Sequence, residues 1–553
     1  MKRIFDMRSP MRDGIGLSSD VWLPDSSGQY PLILLRTPYL KTSQPSQLEY
    51  SRLANFFAEK GYAVAVQDVR GRGDSDGEYA YYFQEANDGY DTIEWMAAQP
   101  WCNGRVGMMG PSYLAAAQWL AASQCPSHLV CIAPTAAPGD FPNELPYVHG
   151  AFLQYRLLWC NLISGRVFQN NVRDEEWANI LKHRPLLTAD EFMGRRMPLY
   201  REWLQHPTLD EYWKTLAFTE GDYRNIALPA LHITGWFDSS QPGAMHYWTG
   251  MANYSPAARD QYLIVGPWDH LQAFTGGKKR IGEMEFSDDS VLDILQVHLD
   301  FFGRFLKQTK DRFHRSPINL YVTGRNEWLA LDSYPIPGIA TTKLYLSSQG
   351  RANSLFGDGY LSTIGVDKPD DHYTFDPSDP VPLDIFAPGG IYGVDRRALE
   401  HRSDVLVYTS DSMRDATEVI GRVYVELYAA SDACDTDFTA SILDVFPDGR
   451  AVVLGPRVVG IVRARHRSGS EKAELLTPGR VEEFHIELGH IAHSFEPGHR
   501  IRIEISSSAA PMYNPNQNTG NPVALDMEWR VARQRVCHDS RHPSALILPV
   551  SRR

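Results

Sequence analysis

A chain of 553 residues is too long for one compact core, so two or three domains are expected. Its 67 acidic against 54 basic residues leave a formal charge of −13, which argues against a nucleic-acid partner, because little would neutralise the phosphates. With 43% hydrophobic and 22% charged residues, the composition is that of a soluble globular protein with ample core. The opening MKRIFDMRSPMRDGIGL holds no apolar stretch of signal-peptide length, and no later run approaches roughly 18 uninterrupted apolar residues. A cytoplasmic protein with no membrane partner is the expectation. The six cysteines (Cys102, Cys125, Cys131, Cys160, Cys434 and Cys537) form no CxxC pair, so zinc and dithiol chemistry are not suggested, and buried apolar packing is their expected role.

From residue 31 to about 138, apolar β-rich runs (PLILLRTPY, GYAVAVQDVRG, GRVGMMGPS, LVCIAPTAA) alternate with helical stretches (SRLANFFAEK, GYDTIEWMAAQP). Continuous apolar strands alternating with helices predict a parallel sheet covered on both faces. Residues 140–225 carry no convincing strand but several aromatic-rich helical segments, GAFLQYRLLWCNLI and DEEWANILKH among them. Strand signals return in LPALHITGWFD and DQYLIVGPWDH, so the middle region reads as a helical cap inserted into one α/β domain. The α/β domain is thus assigned to 1–139 and 226–315, closing with the helical VHLDFFGRFLKQTK, and the cap to 140–225. From residue 316 to 553, short alternating or β-branched runs (INLYVTG, TKLYLSS, RVYVELYAAS, VEEFHIELG, HRIRIEISSS) and the hairpin signal PDGR at 447–450 predict a C-terminal β-sandwich or jelly roll.

One serine stands out against this background. Ser112 lies between the predicted strand RVGMMG and the predicted helix YLAAAQWLAAS, the setting of a nucleophile elbow, where a sharp turn lifts Oγ off the sheet edge. Gly110, Ala115 and Ala116 supply the small neighbours such a turn demands. On its own, a Gly-x-Ser before a helix fits an N-cap serine equally well. Chain order separates the two, since the next predicted strands end at Asp238 and at His270, giving Ser, Asp and His in α/β-hydrolase order. Serine is a poor nucleophile at its own pKa, so His270 would take its proton while Asp238 fixes the imidazole tautomer. Asp269, next to His270, points to the other face of an extended segment and is not the expected acid. RGRGDSDGEY lacks the G-K-[ST] of a phosphate loop and reads as a structural loop beside the site.

Together these residues resemble the cocaine-esterase-like (CocE/NonD) hydrolases of the X-Pro dipeptidyl-peptidase superfamily, along nearly the whole chain. The family's Gly-x-Ser-Tyr-x-Gly motif is matched by GPSYLA, with Ala115 at the last glycine. RTPY, QDVRGRGDSDGEY, DGYDTIEWMAAQPWCNGRVGMMG, GWFD, VGPWDH, SDACDTDFTASILDVFPDGRAVVL and NPNQNTG match further family stretches. The resemblance implies an α/β-hydrolase domain, a helical cap and a jelly roll, with the active site where the three meet. It also implies an oxyanion hole made by the Tyr39 phenol and the Tyr113 backbone amide. Relatives taking α-amino acyl groups place carboxylates near the catalytic aspartate, whereas here Asp238 is followed by SSQPG.

The expected activity is cleavage of a small-molecule carboxylic ester or amide through an acyl-enzyme, with no cofactor or metal. Acylase or acyltransferase chemistry, an X-Pro or aminoacyl peptidase, and an inert binding protein are the alternatives. Phe152, Tyr155, Trp159, Trp236 and Phe237 are candidate substrate-binding aromatics, with core packing as the competing role. Arg156 could pair with a substrate carboxylate or with a surface acid. The oligomeric state stays open, a homo-oligomer included.

Overall fold

A computed structural model describes residues 1–24, 28–42, 49–169, 174–309, 315–365, 367–387 and 390–551. The end of VHLDFFGRFLKQTK, Lys310, lies outside them. The first strands are β1 (Lys2–Pro10), β2 (Gly16–Leu23), β3 (Tyr30–Thr37), β4 (Ala63–Asp68), β5 (Cys102–Pro111) and β6 (Leu129–Thr135). A two-residue hairpin, β7 (Tyr147–Val148) and β8 (Ala151–Phe152), opens the cap. The main sheet resumes with β9 (Ala230–Phe237) and β10 (Gln261–Asp269). The short β11 (Arg280–Ile281) and β12 (Met284–Glu285) form a separate hairpin before β13 (Ile318–Val322) and β14 (Glu327–Leu331). Among the described residues the main sheet runs β1-β2-β4-β3-β5-β6-β9-β10-β13-β14. It is parallel from β4 through β13 and antiparallel at both edges.

All six residues of β4 and all eight of β9 are buried, as strands covered on both faces must be. The covering helices are α1 (Tyr50–Glu59), α2 (Glu85–Ala97) and α3 (Tyr113–Ser123), followed across the cap by α4 (Arg156–Leu162), α5 (Asp174–Ile180), α6 (Pro198–Gln205), α7 (Glu211–Lys214) and α8 (Glu220–Asn225). The series closes with α9 (Gln241–Tyr254), α10 (Gln272–Thr275) and α11 (Ile294–Phe305). α3 is buried on every side from Tyr113 to Ala122, which explains its alanine-rich sequence: it lies against β5, β6 and α2, where a Cβ on Gly89 would come within 2.6 Å of Ala121 Cβ. No helix of the described residues is long and apolar enough to cross a membrane.

Two features depart from the sequence expectation. INLYVTG, expected to open the jelly roll after residue 315, instead continues the first sheet, pairing in parallel with β10 (Leu263 opposite Ile318) before β14 closes the edge. Period-two alternation marks a strand but not the sheet it joins, and α11 returns the chain as a βαβ crossover. The antiparallel pair β1 and β2 was not anticipated either, because MKRIFDMRSP carries no apolar face and is mostly exposed.

After residue 340 the chain forms a twelve-stranded hydrogen-bonded network, the sandwich of the C-terminal domain. Its core is continuous with that of the hydrolase sheet, since Trp236, Leu263 and Leu320 belong to one buried cluster with Val419, Ile442 and Ile503. The same domain holds the cap through backbone bonds: the Gln154 N–H donates to Met512 O (2.9 Å), Leu187 N–H to Ala524 O (2.9 Å) and Leu209 N–H to Ser470 O (2.8 Å). Of the cysteines, Cys102, Cys131, Cys160 and Cys537 are buried, Cys434 is half-buried and Cys125 exposed.

The end of β5 leading into the Ser112 turn is tightly constrained. Gly110 adopts φ +131°, and a Cβ there would lie 2.7 Å from Leu114 Cβ. A Gly110→Ala variant should therefore be destabilised by about 2 kcal/mol and lose a few degrees of Tm, with turnover falling at the same time. Thermal scanning beside ester hydrolysis checks this; a variant with wild-type Tm and rate would show the turn to be tolerant.

Candidate active site

Ser112 follows β5 directly and adopts φ 57°, ψ −119°, a left-handed conformation that a serine enters only when its surroundings hold it there. Its N–H donates to Thr135 O on the neighbouring strand (2.9 Å). The side chain makes no capping bond to α3, so the N-cap role weighed from the sequence is not the one it plays. Instead Ser112 Oγ lies 3.1 Å from His270 Nε2, 158 residues away.

His270 follows β10, and its Nδ1 lies 2.7 Å from Asp238 Oδ1 at the end of β9. Asp238 is fully buried; its Oδ2 accepts from Thr234 Oγ1 (2.8 Å) and its Oδ1 from the Ser240 N–H (2.9 Å). A carboxylate so held offers one oxygen to the imidazole, which fixes the proton on Nδ1 and leaves Nε2 to accept from serine. Asp269 faces elsewhere and accepts from the Gln272 N–H (2.7 Å), as its place in the strand predicts.

Tyr39 reaches the same point from the end of β3. Its N–H donates to Thr37 Oγ1 (3.0 Å), and its phenol oxygen accepts from Trp159 Nε1 of the cap (3.1 Å). Because the oxygen is already an acceptor, its own hydrogen is left to donate, and Tyr39 and Ser112 line the same cavity. Burial pushes the Tyr39 phenol above its ordinary pKa, so it remains a donor at neutral pH. The Tyr113 amide opens α3 and has no acceptor within the helix. The Tyr113 ring turns inward, with its hydroxyl 2.8 Å from Tyr81 O and 3.0 Å from Glu85 Oε1. Burial lifts the Glu85 carboxyl to about 7 against the opposing pull of the Arg36 guanidinium.

Ser112, His270 and Tyr39 line a cavity of about 270 Å³, while Asp238 lies sealed behind it. Tyr155 and Trp159 line it as expected. Phe152, Trp236 and Phe237 do not. Phe152 is buried against Tyr147 and Tyr200, Trp236 donates its indole N–H to Tyr321 O (2.6 Å), and Phe237 packs on Phe286 and Tyr392. Trp236 and Phe237 are neighbours on β9, whose side chains alternate between two covered faces, and Phe152 lies on the buried β8, so all three are sealed in the interior. Tyr81, Tyr82, Phe168 and Phe274 line the cavity without having been anticipated, though EYAYYFQ was a dense enough aromatic cluster to have pointed there.

Arg156, weighed against a surface ion pair, also lines the cavity. Among the described residues no side chain beyond residue 315 does so, which corrects the expectation of a site where three domains meet. The jelly roll supports the site from behind, through Tyr392 against Phe237 and through the bonds that hold the cap. RGRGDSDGEY is structural: Arg70 pairs with Asp88 and Asp13, and Arg72 donates to Pro38 O and Ile163 O (both 2.8 Å), joining the end of β3 to the end of α4.

Comparison with known proteins gives a consistent result. Residues 13–272 match the X-Pro dipeptidyl-peptidase (S15 family) model, and residues 312–547 match the X-Pro dipeptidyl-peptidase C-terminal non-catalytic domain. The chain is 34% identical to a cocaine esterase of Rhodococcus sp. (strain MB1 Bresler), over 98% of each chain. Among solved structures it is similar to an aminopeptidase from a marine sediment Thaumarchaeota archaeon, with TM-score 0.87 and 25% identity over 99% of this chain and 97% of that one. An α-amino acid ester hydrolase shares the fold, with TM-score 0.88 and 24% identity over 100% of this chain and 96% of that one.

Removing the phenolic donor in Tyr39→Phe should lower kcat on the order of 10²–10³-fold with little change in KM, and Asp238→Asn should lower it at least as far. Steady-state kinetics on one ester decides both. A loss below about threefold in either variant would assign that role to another group.

Proposed function

The chain belongs to the cocaine-esterase-like serine hydrolases of the X-Pro dipeptidyl-peptidase (S15) family, and from that premise we propose that it cleaves small carboxylic esters through an acyl-enzyme on Ser112. The observation that carries the reading is the Ser112–His270–Asp238 hydrogen-bond chain, at 3.1 and 2.7 Å, opening into an aromatic-lined cavity.

Ser112 Oγ attacks the ester carbonyl as His270 Nε2 takes its proton, and buried Asp238 stabilises the resulting imidazolium. Negative charge develops on the carbonyl oxygen, to which the Tyr39 hydroxyl and the Tyr113 N–H donate. Collapse of the tetrahedral intermediate breaks the bond to the alcohol oxygen, which receives the proton from His270. Water then attacks the acyl-enzyme with His270 again as base, releasing the acid and restoring Ser112.

Two observations favour an ester over a peptide with a free N-terminus. Among the described residues, none of those lining the cavity is Asp or Glu, so a substrate ammonium would find no counter-charge from them. Asp238, the nearest carboxylate in the catalytic chain, is fully buried and already engaged. An intact triad with a positioned phenol speaks equally against an inert binding protein. All six cysteines are unpaired, which supports a reducing, cytoplasmic setting.

Short p-nitrophenyl esters should give a burst of about one p-nitrophenol per enzyme when acylation outpaces deacylation, and a fluorophosphonate should label the wild type but not Ser112→Ala. Labelling or turnover surviving in Ser112→Ala would assign the nucleophile elsewhere.

A further inference from the structure

Arg156 is the first residue of α4, and its guanidinium lines the catalytic cavity. Its Nε is buried without a hydrogen-bond partner, and among the described residues no ion pair or side-chain hydrogen bond engages the group. Its specific neighbour is the Tyr155 ring, 5.1 Å from Cζ. Several buried arginines do meet acceptors: Arg36 meets Glu85, Arg70 meets Asp88, Arg463 meets Asp437, and Arg72 meets two carbonyl oxygens. A guanidinium stays charged at every physiological pH, and half-buried Arg156, its Nε sealed from water, has no counter-ion to offset the desolvation it bears. Aromatic rings offset part of that cost, but none of them supplies the planar pair of acceptors that a guanidinium fits best.

The place of this charge matters. Arg156 and Trp159 are three residues apart on α4 and share a face, and Trp159 Nε1 holds the Tyr39 phenol at 3.1 Å. The guanidinium and the Tyr39 phenol line the same cavity, close enough for the Arg156 charge to act on the phenol. The protein as a whole carries −13 charges and would repel an anionic substrate, so a neutral cavity would discriminate against one. A single unpaired arginine beside the nucleophile reverses that locally.

We propose that Arg156 receives a carboxylate of the substrate, so that the preferred esters carry a second, free acid group, monoesters of short dicarboxylic acids being the simplest class. This rests on ester hydrolysis at Ser112, and the test keeps the two apart. It compares kcat/KM for the mono-p-nitrophenyl ester of glutaric acid with that for p-nitrophenyl pentanoate, equal in chain length and leaving group, in wild type, Arg156→Gln and Arg156→Lys. Wild type should prefer the anionic ester by at least tenfold. Arg156→Gln should lose on the order of 10–100-fold more on the anionic than on the neutral ester, chiefly through KM, and Arg156→Lys should recover part of the difference.

A second pair, 4-(butyryloxy)benzoate against phenyl butyrate, moves the carboxylate to the alcohol side. A preference confined to this pair keeps the carboxylate receptor and assigns it to the leaving group. Equal losses on charged and neutral esters in Arg156→Gln would overturn the proposal, because they would mean that the cation acts on the oxyanion or on the fold. Activity without any preference for the anionic ester in either pair would overturn it too, while leaving the esterase reading intact. If every ester is inert, calorimetric binding of glutarate to Ser112→Ala, with and without Arg156→Gln, still decides: arginine-dependent binding supports the receptor, and its absence ends the proposal.

Discussion

The left-handed backbone of Ser112 is the constraint around which the hydrolase domain is arranged. A serine at φ 57° between a buried strand and a buried helix persists only if both elements are fixed on all sides, and they are. β5 sits between β3 and β6 in the middle of the sheet, and α3 is enclosed along its whole length. Gly110 clears room for Leu114, and Thr135 accepts the serine amide. In return, Oγ is lifted off the sheet and the first amide of α3 is left without a helical acceptor, so one turn presents both the Ser112 hydroxyl and the Tyr113 N–H.

The remaining parts converge because parallel strands deliver their C-terminal ends to one edge of the sheet. β3 brings Tyr39, β9 brings Asp238 and β10 brings His270 to the edge where β5 ends. Their environments then divide the work. Asp238 is sealed and fully hydrogen-bonded, whereas His270 keeps about a quarter of its side chain exposed, as a group that exchanges protons with substrate and water must. Beneath them, Arg36, Glu85 and the Tyr113 hydroxyl form a buried polar chain linking the strand that leads to Tyr39 with the helix that carries the Tyr113 amide. The Tyr39 phenol and the Tyr113 amide are thus tied to each other through the core as well as through the sheet.

The cap and the jelly roll turn this edge into an enclosed site. The cap supplies Trp159 to orient the Tyr39 phenol, Tyr155 to wall the cavity, and Arg156 as its permanent charge. Among the described residues the jelly roll contributes no side chain to the cavity lining, yet it holds the cap by backbone bonds at Gln154, Leu187 and Leu209 and shares a core with β9, β10 and β13. Gln154 lies two residues before Arg156, so the β-domain helps set where the cavity's cation sits.

The amino-acid sequence by itself determined the elements and the reacting groups. Ser112, Asp238 and His270 each close an apolar strand run, and such runs are local signals that survive folding. Tyr39 and the Tyr113 amide came from the family resemblance of RTPY and GPSYLA. Tertiary structure alone decided which aromatic side chains line the cavity: Phe152, Trp236 and Phe237 resemble Tyr155 and Trp159 in kind, and only packing turns three inward and two toward the cavity. It also decided that Ile318–Val322 extends the first sheet, since alternation fixes which faces a strand presents and not which neighbour it pairs with. The unpaired state of Arg156 belongs to the same class, because whether a charge finds a partner depends on residues distant in the chain.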